Sequence, residues 1–395
     1  VLLLFSAVLL AFLIAVSGDP FFWDAVQLGS KHAHFFYDNN LSWGLLPAHI
    51  DSGHLPAWGY YLAVVWAAFG KSLLVSHLAV WPFAFGILYV SAALGHAAGG
   101  PTLGYWLIPL VLLDPVAAGQ LAGMGPDVAL LFFFLLGVWS VLRGHPVLTA
   151  LAVLGLCAIS MRGMVASAAL GTWQLVYLRE RCRPLHILAY IPGILLAAGF
   201  LMWHYREAGW IGHHPGSPWQ PAFERVDMVG AARNALILGW RWADLGRWAE
   251  WVVLVAFGWT YRKHYARSTQ PWLMLLLLTA LLLAPSALLY ANLGAHRYFL
   301  PVFMALHLAV LWAIAHAPRT HAQNIRLMTL LVVSLGFGNL WVYPHGVAMT
   351  WDSTLVHRSY HGLRADVVRY MDQNGIPFDQ TGSAFPNLNT GAHLL

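Results

Sequence analysis

Residues 271–291 read PWLMLLLLTALLLAPSALLYA, with no charged side chain from end to end. About 20 helical residues cross the ~30 Å hydrocarbon core of a bilayer, so this stretch reads as a transmembrane helix. Working outward from it, comparable apolar runs occupy 1–17, 73–95, 104–122, 127–142, 146–161, 164–178, 185–203, 247–261, 299–316 and 327–343, eleven in all. Only 9% of the 395 residues are charged and 59% are hydrophobic, and the mean hydropathy is +0.63. A soluble domain carries roughly 25% charged residues, so this chain lacks the polar surface to coat a water-soluble globule. That excludes a soluble enzyme, a nucleic-acid binder and a disordered chain. The expected fold class is all-α: a polytopic membrane helical bundle of about eleven transmembrane helices, with the lipid bilayer as its first partner.

One run resists assignment. Residues 57–69, AWGYYLAVVWAAF, are apolar but too short to span, and they fit a helix lying at the outer interface with Trp58, Tyr60 and Tyr61 at headgroup level. Counting it as a span would invert everything after it, so charge decides. With the chain starting inside and crossing eleven times, the short inner loops hold Arg143, Arg179, Arg181, Arg183, Arg262, Lys263, Arg267, Arg319 and Arg326 against the single acid Glu180. Every other carboxylate except Asp114 then falls outside, as the positive-inside rule requires. The chain divides into a transmembrane module over 1–346, with outer polar loops at 18–56 and 204–246, and an extracytoplasmic segment over 347–395. Val1, already inside an apolar run, and Leu394–Leu395 both read as cut ends. Cys157 and Cys182 show no metal-type spacing, and no structural disulfide is expected.

Candidate chemistry gathers on the outer side. Asp24, flanked by Phe22, Trp23 and Val26 just after the first span, has two readings. It caps or solvates a loop, or its desolvated carboxyl has a raised pKa suited to a general base. Asp127 follows Gly125-Pro126 at the start of a span, where it suits helix capping and the helix dipole and also points a carboxylate outward. Asp114, beside Pro115 within a span, is an intramembrane acid and hence a functional candidate, or a protonated acid satisfying local backbone or Gln120. Arg162 and Arg297 sit at outer ends of spans. They either snorkel to the interface or form a phosphate clamp, because guanidinium forks match phosphate oxygens. The many histidines (His32, His34, His49, His54, His213 and His214 outside) are conceivable metal ligands but lack metal-protease spacing and read as solvated, His54 excepted because of its neighbours. Tryptophans of the outer loops, Trp23, Trp43, Trp58, Trp210, Trp219, Trp240 and Trp242, suit an interfacial belt and also sugar stacking.

In order along the chain, Trp23-Asp24, Gly53-His54-Leu55-Pro56 with the aromatic helix after it, Gly125-Pro126-Asp127 and Arg297-Tyr298-Phe299-Leu300-Pro301 resemble the GT-C superfamily of polytopic glycosyltransferases. The similarity is to the bacterial branch related to protein O-mannosyltransferases and the aminoarabinose transferase of lipid A, and covers roughly 1–316. There are departures. Ala25 follows Asp24 where the family usually has Glu, Leu55 separates His54 from Pro56, and Arg162-Gly163 replaces a Lys-Gly pair.

The resemblance implies inverting transfer of a sugar from a polyprenyl-phosphate donor to a glycan, lipid or protein acceptor, at the extracytoplasmic face of a bacterial inner membrane. It casts Asp24 as base, Asp127 as orienting acid or as a partner of Asp24 on Mg²⁺ or Mn²⁺, Arg297 and Arg162 as phosphate-binding groups, His54 as a hydrogen-bonding or phosphate-contacting neighbour, and Tyr298 as an adjacent binding residue or interface anchor. The stretches HHPGSPWQPAFERVDM and AARNALILGWRWADLGRW suggest a lid or acceptor surface ending in an amphipathic helix. HGLRADVVRYMDQNGIP suggests a helix ending at Asn374-Gly375. A transporter or flippase of a lipid-linked or anionic substrate is the competing reading. It predicts paired repeats and midplane polar sites on broken helices, for which Asp114-Pro115 is the candidate.

Overall fold

Each apolar run is helical in the computed structural model, which describes residues 1–177, 183–265, 270–344, 352–377 and 380–381. Helix Leu300–His316 is the axis of the bundle. Every residue from Leu300 to Ile314 is buried, as expected of a helix that is apolar on all sides. Helices Leu73–Leu103, Trp248–Thr260 and Gln270–Leu289 pack around it. Asp127–Arg143 and Pro146–Ile159 form an antiparallel pair closed by Gly144 in the left-handed conformation. Met161–Tyr177 packs on Gln270–Leu289, and Ile191–Ala208 on Pro146–Ile159. Among the described residues, four stretches are by themselves long and apolar enough to cross a membrane: Leu73–Leu113, Pro184–Ala208, Pro271–Leu289 and His296–His316.

Three expectations change. The run 104–122 is not one helix, because it breaks at Asp114 into Leu107–Leu113 and Pro115–Gly123. Asp114 is the N-cap of the second piece, its carboxylate accepting from the backbone of Val116 and Ala117 at 3.0 and 3.2 Å, and Pro115 takes the first helical position, where it sacrifices no hydrogen bond. The run at 185–203 is likewise divided, into Pro184–Leu188 and Ile191–Ala208.

Helix Ala57–Phe69 forms, but its aromatic groups turn inward. Trp58 is buried and donates to the Met124 carbonyl at 3.2 Å, and Tyr61 donates to the Ala79 carbonyl at 2.8 Å. The amphipathic helix of the second outer loop is found at Met228–Ala243. The tail helix runs Arg358–Gln373 and ends at Asn374 with Gly375 at φ +62°. The boundary expected at 346/347 lies outside the described residues, as do Cys182, Glu180 and Arg267. Cys157 is a buried free thiol. Residues 352–361 pack straight onto the module: His357 stacks on Phe22 at 5.2 Å, and Arg358 pairs with Asp19 at 2.5 Å.

Candidate active site

Two unusual backbone conformations deliver the site's acids. Trp23 takes φ +52°, uncommon for a bulky residue, and a π-helix, Ala25–Ser30, follows at once. Such wide turns gather at functional sites, and this one sets the buried Asp24 carboxyl inward, without capping the turn. Met124, left-handed at φ +57°, ends helix Pro115–Gly123, and Gly125-Pro126 then launches Asp127 into the next helix. Asp127 Oδ1 has no hydrogen-bond partner among the described residues. Its carboxylate faces arginines instead, so the capping account of it fails, although its place in the first turn still matches the helix dipole.

Arg297 joins these pieces. It lies in the turn His296–Phe299 that opens the central helix, and its side chain is 4% exposed. Nη2 donates to Asp24 and Nη1 to Asp352. Nε stands 3.9 Å from Asp127 Oδ2. Arg162 places Nη1 2.9 Å from Asp127 Oδ1. The Tyr298 ring lies beside both arginines, 4.3 Å from the Arg162 guanidinium carbon and 5.2 Å from that of Arg297, close enough for cation–π attraction. Tyr298 is therefore part of the cluster, not an outlying interface anchor. Neither arginine snorkels.

Asp24, His54, Asp127, Arg162, Arg297 and Tyr298, all singled out in the sequence, thus converge. Asp352 completes the set and escaped the sequence reading. Its carbonyl also accepts from Gln120 at 2.7 Å. An acid standing between 345–351 and a three-residue turn, far along the chain from its partners, carries no spacing signal that could have revealed it.

Three carboxylates face two guanidinium groups. Burial pushes the Asp24 carboxyl up to about 6, against the pull of Arg297 and with the repulsion of Asp352 behind it. Its Oδ1 has no hydrogen-bond partner among the described residues. A carboxylate of that basicity is suited to proton transfer near neutral pH. His54 is pushed the other way, down to about 3, by burial and then by Arg162. It is a neutral imidazole with Nδ1 unpartnered among the described residues, fit for hydrogen bonding and not for adding charge. His32 and His34 are also buried, His32 with Nε2 2.9 Å from the Ile50 carbonyl, whereas His49 is exposed as expected.

The cation held by Asp24, Asp127 and Asp352 is the Arg297 side chain. A divalent ion between Asp24 and Asp127 would compete with that guanidinium for the same oxygens, and among the described residues no group of three His, Cys, Asp or Glu is placed to ligate one. The residues do not fit the expected Mg²⁺ or Mn²⁺.

Beside Asp127, Arg162 and His54 the protein leaves a cleft of only about 10 Å³, room for one water at most. A much larger cavity, about 590 Å³, opens elsewhere on the outer loops, past Asp51. Volume alone would draw attention to the larger one. The converging charges of Asp127 and Arg162 at the smaller, next to Arg297 and Asp24, make that side the candidate site.

Asp114, the intramembrane acid, belongs to a second cluster. Arg247 binds it with two parallel bonds of 2.7 and 2.9 Å. His307 stands 3.4 Å from Asp114 and 2.8 Å from Glu250, and all four side chains are fully buried. The acid is consumed in an ion-pair network that ties the break at 114 to helices Trp248–Thr260 and Leu300–His316. Of the expected local partners, the backbone supplies the cap, while Gln120 donates to the Asp352 carbonyl instead.

The chain shares its fold with a crystal structure of ArnT from Cupriavidus metallidurans bound to undecaprenyl phosphate. The TM-score is 0.55 over 95% of this chain and 72% of that one, at 16% sequence identity. No family model and no curated protein sequence matches the chain. It is an integral membrane protein with the polytopic helical fold of that structure, the architecture expected from its apolar runs.

Proposed function

We propose that this protein is a glycosyltransferase that moves a sugar from a polyprenyl-phosphate-linked donor to an acceptor hydroxyl, with inversion, at the extracytoplasmic face of a bacterial inner membrane. The observation carrying this reading is the convergence of a basic buried carboxyl, Asp24, with two arginines, Arg297 and Arg162. The fold shared with an ArnT structure bound to undecaprenyl phosphate supports it, as does the excess of arginine in the opposite, inner loops.

In this mechanism the donor's phosphate takes up Arg297 and Arg162, whose guanidinium forks match its oxygens. Arg297 then exchanges carboxylate contacts for phosphate contacts, which removes a positive charge from beside Asp24 and raises its basicity further. Asp24 accepts the proton of the acceptor hydroxyl. The acceptor oxygen bonds to the anomeric carbon from the face opposite the phosphate, the bond from that carbon to the phosphate oxygen breaks, and its electron pair leaves on the phosphate. The arginines stabilise that growing charge. Asp127 holds Arg162 in place, Tyr298 packs beside both guanidinium groups, and neutral His54 offers Nδ1 to a substrate polar group.

The test is sugar transfer from polyprenyl-phosphate-sugar donors in nanodiscs, wild type beside Asp24→Asn. Loss of general-base help is worth about 10²–10⁴ in rate. Turnover lost in a stably folded Asp24→Asn protein supports the reading, and equal turnover in both would remove Asp24 from it.

A further inference from the structure

The larger cavity has the makings of a binding site of its own. It lies on the outer side between residues 45–51 of the first outer loop and the end of helix Ile191–Ala208, and holds about 590 Å³, inside the roughly 300–1,000 Å³ range of small-molecule sites. Trp203 and Glu207 line it, and being four apart on that helix they lean to the same side. Trp203 keeps 38% of its surface exposed, which leaves an aromatic face for a ligand. Asp51 and Trp210 line it as well.

Asp51 and Trp210 are held by contacts of their own. Asp51 accepts from the Gly53 backbone at 2.8 Å and faces His204 Nε2 at 2.8 Å. Trp210 meets the His204 ring edge-on at 4.5 Å, and its carbonyl lies 2.9 Å from His204 Nδ1. Trp210 also presses on Gly53, where a Cβ would come within 2.7 Å of the indole and where φ is +71°. Glycine at 53 is thus fixed by conformation and by contact. The next residue is His54 of the charged cluster, so segment 51–54 forms the partition between cavity and cluster: Asp51 lines one side, Ser52 and His54 the other.

The lining specifies the ligand's chemistry. Carboxylates only accept hydrogen bonds, so Glu207 calls for a ligand that donates, and with Asp51 behind it, already engaged by Gly53 and His204, the acidic lining disfavours a phosphate. Tryptophan offers a flat apolar face with one polar edge. A polyhydroxylated ring, with hydroxyl donors at its rim and an apolar face of C–H groups, satisfies both demands. We infer that the cavity between Asp51, Trp203, Glu207 and Trp210 is a saccharide subsite, holding one unit of a neutral acceptor glycan while its neighbouring unit reacts across the 51–54 partition. The word acceptor rests on the transferase reading above; the saccharide site itself does not.

The experiment is saturation-transfer NMR on the protein in nanodiscs with a panel of neutral mono-, di- and trisaccharides. Binding of undecaprenyl phosphate is measured alongside. At least one saccharide is expected to bind, at least tenfold more weakly to Trp203→Ala and several-fold more weakly to Glu207→Gln, with Trp203→Phe retaining most of the affinity. Undecaprenyl phosphate should bind all of these alike. No binding by any saccharide, equal binding to Trp203→Ala, or binding of ethanolamine in place of sugars would overturn the subsite. A protein that binds saccharide through Trp203 yet transfers no sugar keeps the subsite and removes the transferase. One that transfers sugar through Asp24 but binds no saccharide here does the reverse.

Discussion

Arg297 donates to Asp24 and Asp352 through separate nitrogens of one guanidinium group, and so ties the loop after the first span to the segment that begins the tail. Lysine offers a single charged point in place of a planar fork and cannot reproduce that geometry. Arg297→Lys should therefore lower turnover by about 10²–10³, the scale of losing one donor to developing charge, while the protein stays folded. Turnover within a few-fold of wild type would show that charge alone suffices at this position.

The pH profile reports the same cluster. Asp24 works as a base only when ionised, so kcat/KM should climb as pH rises and fall away below a midpoint near 6, the value to which burial lifts this carboxyl. Asp352 contributes to that lift by repulsion. Asp352→Asn removes the negative charge, and the acidic limb should move to lower pH. A limb that stays put, or moves up, would separate Asp352 from Asp24.

Metal removal is the third measurement. Because Arg297 occupies the space between the acids, treatment with EDTA should leave sugar transfer unchanged. Activity lost with EDTA and restored by Mg²⁺ or Mn²⁺ would mean that the arginine gives way to an ion during turnover.

The buried network at the helix break makes a prediction about stability. Arg247→Met removes both guanidinium bonds from Asp114 and leaves it only the helix cap and His307 at 3.4 Å; breaking a buried pair in this way costs up to about 3–5 kcal/mol. Adding Asp114→Asn, which removes the charge and keeps an oxygen for the cap, should recover part of the loss. Thermal unfolding in nanodiscs measures both variants. A single variant as stable as wild type would show that Asp114 is neutral in the native protein.

Gly163 explains why a glycine follows Arg162. A Cβ there would fall 1.9 Å from the Leu156 carbonyl oxygen, so Gly163→Ala must push apart the helices on either side of Ser160. Overpacking of this kind costs about 1–3 kcal/mol, and it should displace Arg162 from Asp127 as well. The expected readout is lower thermal stability together with weaker donor binding. Unchanged values of both would mean that the turn at Ser160 yields freely.

Much of this protein was legible in the sequence because its solvent is legible. Apolar runs of spanning length, aromatic belts and arginine-rich short loops follow from the energetics of hydrocarbon and headgroups, which act on each segment locally. The break at 114 was also written locally, as Asp then Pro, an N-cap and first-turn pair. It was passed over because hydropathy ran on through it. The six candidate residues stood out from short motifs on a shared outer face. The sequence alone thus determined a polytopic helical membrane protein and most of the side chains at its charged centre. Only the tertiary structure decided that Asp352 closes that centre, that Asp114 is bound by Arg247 and His307, and that Trp203, Glu207 and Asp51 face one cavity. Those are pairings between residues tens to hundreds of positions apart. In a low-dielectric interior a charge must find its partner wherever the packing brings one, and no local pattern records which one that is.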